Sequence, residues 1–432
     1  YASGELCEGV ILIAEDLTAT DIVGLDTSKI LGIATEEGTA TSHASILSRS
    51  LCIPALIQVK NLVNQVAHGS FVVLDGNSGT LVNNPPAHIV IEYQEAQLAF
   101  EKRRKFLEAS LSEPSVSRDG QRIRLYANIG ATQDVDKVLA NKADGVGLYR
   151  TEFTYLIRRR FPTEEELVEI YSTVLSRLGD SDFVIRTIDL GGDKISHMVE
   201  QPMEKNPEMG WRAIRMSLDR LDIFRTQLRA IVKTVSRTGR SRVKVLFPMI
   251  SNLGEIRRSK ALLQEIQEEL VTEGEKVPQQ IQIGAMIEVP SAALLAEKIA
   301  REVDFLSIGS NDLVQYTLAV DRTNSKIAHL YQPTNPAVLR LLGEVVRAGE
   351  ITGKPVSICG ELAGDSRYTV LLLGLGLREL SMNSVFIPRV KKVVRSISVE
   401  EARQAIRPIL ELDTSEEIED ALTALNTQYG LV

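Results

Sequence analysis

Two arginines each close an apolar run: Arg150 in Gly147-Leu148-Tyr149-Arg150-Thr151-Glu152-Phe153, and Arg186 in Val184-Ile185-Arg186-Thr187-Ile188-Asp189. A guanidinium carries a permanent charge and a planar fork of donors that matches phosphate or carboxylate oxygens, so a convergent pair suits an anion. The same side chains can instead be held in ion pairs with Glu152 and Asp189. Arg212, in Gly210-Trp211-Arg212, and Arg322, in Asp321-Arg322, would add a third and a fourth charge, although neither follows directly on an apolar run. Glu288, in Met286-Ile287-Glu288-Val289-Pro290, and Asp312, in Gly309-Ser310-Asn311-Asp312, supply hard oxygen donors. A carboxylate pair that leaves coordination positions open suits Mg2+. Asn311-Asp312 can equally cap the helix predicted from Leu313 to Leu318. Cys359, in Ser357-Ile358-Cys359-Gly360-Glu361, reads either as a small core residue or as an acid that delivers a proton to carbon where cations stabilise an enolate.

His43 follows the small, hydroxyl-rich run Gly38-Thr39-Ala40-Thr41-Ser42 and precedes a helix-like stretch from Ser45 to Leu51. Backbone N–H groups and a positive helix end at such a place can seat a phosphoryl group, which an imidazole nitrogen can carry. The alternative is a helix capped by Ser42 or Thr41 with His43 in its first turn. His68, His88, His197 and His329 have no metal-ligand spacing and read as surface residues.

Side chains scattered over more than two hundred positions need a scaffold that gathers strand ends. Beyond Asp119 the sequence alternates strand-like runs with helical stretches. The runs are Arg122-Asn128, Gly145-Arg150, Phe183-Asp189, Val243-Met249, Gln282-Glu288, Asp304-Gly309, Pro355-Gly360 and Glu379-Met382. Eight such units predict a (β/α)8 TIM barrel, whose active site lies at the C-terminal ends of its strands. Asn128, Arg150, Arg186, Asp189, Met249, Glu288, Asn311, Asp312 and Cys359 all fall there. Residues 1–84 read as a smaller α/β unit that closes at Asn83-Asn84-Pro85-Pro86. Residues 85–118 read as a linker whose charge-rich helix carries Lys102-Arg103-Arg104-Lys105 as a solvated face, and 119–432 as the barrel.

The chain has 432 residues, enough for two or more domains, with 44% hydrophobic and 25% charged residues. A net charge of −8 argues against a nucleic-acid or membrane-surface role, both of which need a broad basic face. Three cysteines, Cys7, Cys52 and Cys359, provide neither a disulfide framework nor paired metal spacing, which fits a reducing cytoplasm. No apolar run reaches membrane-spanning length. The chain opens on Tyr1 rather than Met, so a fragment is expected.

Thr41-Ser42-His43, Gly147 to Phe153, Arg186-Thr187-Ile188-Asp189-Leu190-Gly191-Gly192-Asp193-Lys194, Gly210-Trp211-Arg212, Phe247-Pro248-Met249, Asn311-Asp312-Leu313 and Cys359-Gly360-Glu361 together resemble the phosphoenolpyruvate-protein phosphotransferases, Enzyme I of the bacterial sugar or nitrogen phosphotransferase systems. The resemblance covers nearly the whole chain. It implies that His43 takes a phosphoryl group from phosphoenolpyruvate and releases pyruvate, before passing the group to a histidine-containing phosphocarrier protein. It implies that Arg150, Arg186, Arg212 and Arg322, with Asn311, bind the substrate anion. Glu288 and Asp312 then match Mg2+ ligands, and Cys359 the proton donor. A swivelling phosphohistidine domain, a cytoplasmic location, homodimerisation through the barrel and a carrier-docking helical domain upstream of Tyr1 are further implications. Pyruvate phosphate dikinase and phosphoenolpyruvate synthase share the histidine and barrel, but Gly191-Gly192-Asp193-Lys194 favours Enzyme I. A barrel that senses phosphoenolpyruvate without turnover is the non-enzymatic alternative.

Overall fold

The computed structural model describes residues 9–17, 29–38, 44, 45, 48, 53–109, 111–156, 160–191, 204–239, 242–278, 280–322, 324 and 326–431. Thr41, Ser42 and His43, Cys7 and Cys52, Gly192 to Lys194 and His197 lie outside them, as do the side chains of Arg103, Arg104 and Lys105. The chain divides into two compact units, 1–106 with 322–328, and 107–321 with 329–432.

In the first unit, short apolar runs become strands β1 (Val10–Ala14), β2 (Ile30–Thr35) and β3 (Ala55–Leu56), joined in parallel as β1-β2-β3. Ala34, Leu56 and Leu62 pack together beneath them. Strands β4 (Val72–Asp75) and β5 (Thr80–Asn83) form an antiparallel hairpin. Asp75 ties its turn by accepting from Asn77 N at 2.9 Å and Ser78 Oγ at 2.8 Å. A helix, Ala87–Ala109, leads out of this unit.

The second unit is built on eight parallel strands: β6 (Arg124–Ile129), β7 (Gly145–Arg150), β8 (Asp182–Arg186), β9 (Val243–Phe247), β10 (Gln282–Ile287), β11 (Phe305–Gly309), β12 (Val356–Cys359) and β13 (Glu379–Asn383). They close into a barrel in sequential order, with β13 pairing back onto β6. Leu148, Val184, Leu246, Met286, Phe305 and Cys359 form a cluster drawn from β7 to β12. A larger apolar layer joins strands to helices. Capping boxes at Thr163, Asn252, Ser398 and Thr414 start four of the helices with both end donors satisfied.

The eight runs anticipated from sequence are the eight barrel strands. Four of them, β8, β9, β10 and β12, stop short of their anticipated ends, and after β8 and β9 the backbone turns to side chains for its partners. After Arg186, Ile188 N donates to the Gln227 side chain at 2.9 Å. After Phe247, Met249 takes a left-handed φ of 54° and its N–H donates to Glu288 Oε1 at 2.6 Å. Glu288 itself stands one residue past β10, with its side chain turned to that amide.

Candidate active site at the C-terminal strand ends

Register brings the two leading arginines side by side, since Arg150 of β7 pairs with Arg186 of β8. Arg150 is exposed and Arg186 buried. Arg186 donates through Nη2 to Glu152 Oε1 at 2.9 Å and lies 3.0 Å through Nη1 from Asp189 Oδ2. The ion pairs with Glu152 and Asp189 therefore form at Arg186. They do not use up the guanidinium, because its buried Nε has no acceptor among the described residues. Burial works against the charge, but Glu152, Asp189 and Glu288 hold its pKa above the ordinary arginine value.

Arg212 reaches the same place by a different route. It follows no strand end; an isolated bridge to Gly191 holds its backbone. A side chain at Gly191 would collide with the Arg212 backbone and Cβ, so only glycine permits this approach. The Arg212 guanidinium grips Asp189 with Nε at 3.1 Å and Nη2 at 2.9 and 3.1 Å. Nη2 also lies 3.4 Å from Asp312 Oδ2, while Nη1 meets Glu208 and, at 3.2 Å, Tyr316 Oη. Against the cost of burial, Asp189 and Asp312 keep this arginine firmly charged. Asp189 thus bridges Arg186 and Arg212.

Glu288 is buried, and its carboxyl is pushed up to about 8 by burial and then by the neighbouring charges of Asp312 and Asp189, with Arg186 and Arg212 opposing. Gly309, at the end of β11, leaves room for it: a Cβ there would lie 2.5 Å from Glu288 Oε2. Asp312 is buried in the first turn of the Ser310–Leu318 helix. The capping role considered for Asn311-Asp312 is not what forms, since Gly309 is the N-cap and makes no side-chain cap. Asn311 Oδ1 instead accepts from Glu361 N at 3.0 Å, tying the β11 end to the β12 end. Glu288 and Asp312 bring carboxylate oxygens into one cluster, with Asp189 beside them. No group of three or more His, Cys, Asp and Glu residues with metal-holding geometry occurs among the described residues.

Cys359 is the small core residue its sequence context allowed. It packs in the barrel cluster, 3% exposed, yet it senses the charges of Glu288, Arg186 and Arg150. Burial pushes the thiol up, and Ser307 Oγ, 3.7 Å from Sγ, draws it partly back. A protonated thiol is the form that can act as an acid. Asn128, at the end of β6, is held by Ser381, whose Oγ donates to its Oδ1 at 2.6 Å.

The barrel thus gathers Arg150, Arg186, Arg212, Glu288, Asn311, Asp312 and Cys359. Arg322 lies in the segment 322–328, which groups with the N-terminal residues, and His43 lies outside the described residues. Sequence reasoning missed Glu208, Tyr316 and Gln227. Gln227 had a legible signal, a polar residue on the apolar stripe of the Leu221–Thr238 helix; Glu208 and Tyr316 had none.

Comparison with known proteins gives the same picture over both units. Residues 104–399 match the PEP-utilising enzyme, PEP-binding domain, and residues 6–79 the PEP-utilising enzyme, mobile domain. The phosphoenolpyruvate-protein phosphotransferase of Bacillus subtilis (strain 168) is 43% identical over 413 residues, covering 96% of this chain and 72% of its own. That of Haemophilus influenzae is 41% identical over 419 residues, covering 97% of this chain and 72% of its own. A solved citrate lyase from Burkholderia xenovorans LB400 aligns at 16% identity with a TM-score of 0.41, over 74% of this chain and 94% of its own.

Proposed function

The chain belongs to the phosphoenolpyruvate-protein phosphotransferase family, and on that premise we propose that His43 accepts the phosphoryl group of a phosphoenolpyruvate bound at the C-terminal ends of β7 to β12. The observation that supports this most is the burial of Arg186 and Arg212 beside two carboxylates and a thiol. Arg150, Arg186, Arg212 and Arg322, with Asn311, hold the phosphate and carboxylate of the substrate. Arg186 offers its buried Nε as a further donor. A ring nitrogen of His43 attacks phosphorus, the N–P bond forms, and the bond from phosphorus to the enol oxygen breaks. The fixed cations neutralise charge as it shifts onto that oxygen. Cys359 delivers its proton to the enolate carbon, giving pyruvate, and the thiolate recovers a proton from solvent.

Glu288 and Asp312 are the residues that would hold Mg2+. Their chemistry fits the ion, because the Glu288 carboxyl is pushed up by burial and then by the charges of Asp312 and Asp189, and a divalent cation would offset both. When bound, Mg2+ would polarise the substrate oxygens. The reading assigns residues 1–84 as the swivelling phosphohistidine domain, 85–118 as its hinge segment and 119–432 as the barrel that binds phosphoenolpyruvate and dimerises. The phosphoryl group then passes to a histidine-containing phosphocarrier protein in the cytoplasm.

The test is intact mass after incubation with phosphoenolpyruvate and Mg2+, beside a His43→Ala control. One acid-labile phosphoryl group, absent from the control, is expected. No mass gain despite measurable phosphoenolpyruvate binding would overturn the assignment. For the assembly, sedimentation at micromolar concentration should show a dimer, and a monomer would count against it.

A further inference from the structure

Gln227 is completely buried on the Leu221–Thr238 helix, at a position of the stripe otherwise filled by Ile223, Phe224, Leu228 and Ile231. An amide removed from water at such a place is costly unless its groups are bonded. Its Oε1 accepts from Ile188 N at 2.9 Å, two residues past Arg186. Its Nε2 donates at 3.2 Å to the hydroxyl of Thr151, the residue after Arg150, and at 3.2 Å to Tyr171 Oη. The Thr151 hydroxyl in turn donates to the Arg186 carbonyl at 3.0 Å.

These bonds close a ring: Gln227 to Thr151, Thr151 to the Arg186 carbonyl, and the chain from Arg186 to Ile188 back to Gln227. Their directions are forced. A backbone N–H can only donate, so the amide oxygen faces Ile188; a hydroxyl that gives its proton to a carbonyl accepts from the amide NH2. The ring forms where β7 and β8 end, just past the paired Arg150 and Arg186.

We infer that Gln227 is a positioning residue which, through Thr151 and Ile188, fixes the spacing and direction of the two arginine-bearing strand ends. It touches no substrate, and the inference rests on the reading of Arg150 and Arg186 as the substrate clamp. A clamp misplaced by about 1 Å from a distance loses on the order of a hundredfold in rate.

The experiment measures single-turnover pyruvate release and the phosphoenolpyruvate concentration that half-saturates it. It compares the wild-type chain with Gln227→Met, Thr151→Val, Thr151→Ser and Arg186→Lys, each with a thermal melt. Gln227→Met keeps the length of the side chain but removes both ends of the bridge. Thr151→Val keeps shape and removes the hydroxyl, and Thr151→Ser restores it. The expected result is a fall of roughly a hundredfold in rate over half-saturation for Gln227→Met and Thr151→Val, with half-saturation raised, and recovery in Thr151→Ser. The Gln227→Met, Thr151→Val double variant should lose no more than the worse single, because both break one ring. A lowered melting temperature with wild-type kinetics in folded Gln227→Met or Thr151→Val, beside an impaired Arg186→Lys, overturns the inference. If Gln227→Met does not fold, the Thr151 pair decides alone. Wild-type kinetics in Arg186→Lys would instead overturn the clamp reading, and this inference with it.

Discussion

The two ends of the barrel carry similar residues in opposite conditions. At the N-terminal mouth, Arg124 lies 3.4 Å from Glu379 and 3.7 Å from Asp182 with half of its side chain exposed. Arg242 lies 4.0 Å from Asp182 and is 64% exposed, and Lys244 sits 5.7 Å from the centre of the Phe305 ring. At the C-terminal ends, Arg186 and Arg212 are each 10% exposed and share Asp189 at 3.0 and 2.9 Å. Pairs of the first kind, whose arginines stay in water although Asp182 and Glu379 are mostly covered, contribute about 0–1 kcal/mol and fade with salt. Buried charges of the second kind are tolerated only as a mutually satisfied set, and removing one leaves its partners uncompensated. The burial of its arginines, more than their number, therefore distinguishes the C-terminal end of this barrel from its N-terminal mouth.

The largest break in that contrast should come from Arg186→Met, which strands Glu152 and leaves Asp189 with Arg212 alone. A loss of roughly 3–5 kcal/mol is expected, read by denaturant unfolding, together with loss of pyruvate release. Next is Gly309→Ala, which places a methyl against Glu288 Oε2. Mg2+ affinity, followed through the metal dependence of pyruvate release, should fall by about 10- to 100-fold. An unchanged metal dependence would detach Glu288 from the ion.

A pH series sharpens the contrast without changing the clamp. Burial holds the Glu288 carboxyl at about 8, above its ordinary 4.5, so the folded state favours the protonated form. The stability this supplies is complete below the ordinary value and is lost as pH rises through about 8. The metal-free chain should accordingly melt at lower temperature at pH 9 than at about pH 6, and Glu288→Gln should flatten that slope. Persistence of the full slope in the variant would assign it elsewhere. At the opposite mouth Glu379 is also pushed up, by burial, with Lys244 and Arg124 opposing. The smallest effect belongs to Arg242→Ala, where stability should stay within about 0.5 kcal/mol and turnover should not change.

The barrel was legible because each of its strands is an apolar run bounded by helical text, and a closed parallel sheet admits few other arrangements. The strand-end residues followed from that count alone, with the β7 and β8 arginines paired in register. What stayed hidden lies where backbone leaves the ladder. Nothing in Val243-Met249 announces that Met249 turns left-handed to meet Glu288. The bridge from Gly191 to Arg212 joins residues twenty-one apart across a stretch of sequence with no periodicity. Gln227 could have been read as a misfit on an apolar face, but its three partners sit outside its own helix, beyond any local pattern.

Asp189 has one more consequence. Because it already lies between Arg186 and Arg212, the site holds an anion of its own before any ligand arrives. On the proposed reading, that resident placeholder keeps two like charges from splaying apart, so that an incoming phosphate would find the guanidiniums gathered. It also competes for the same donors, which weakens the grip on whatever binds and eases the departure of product. A clamp with a built-in occupant gives up tightness and gains readiness and turnover.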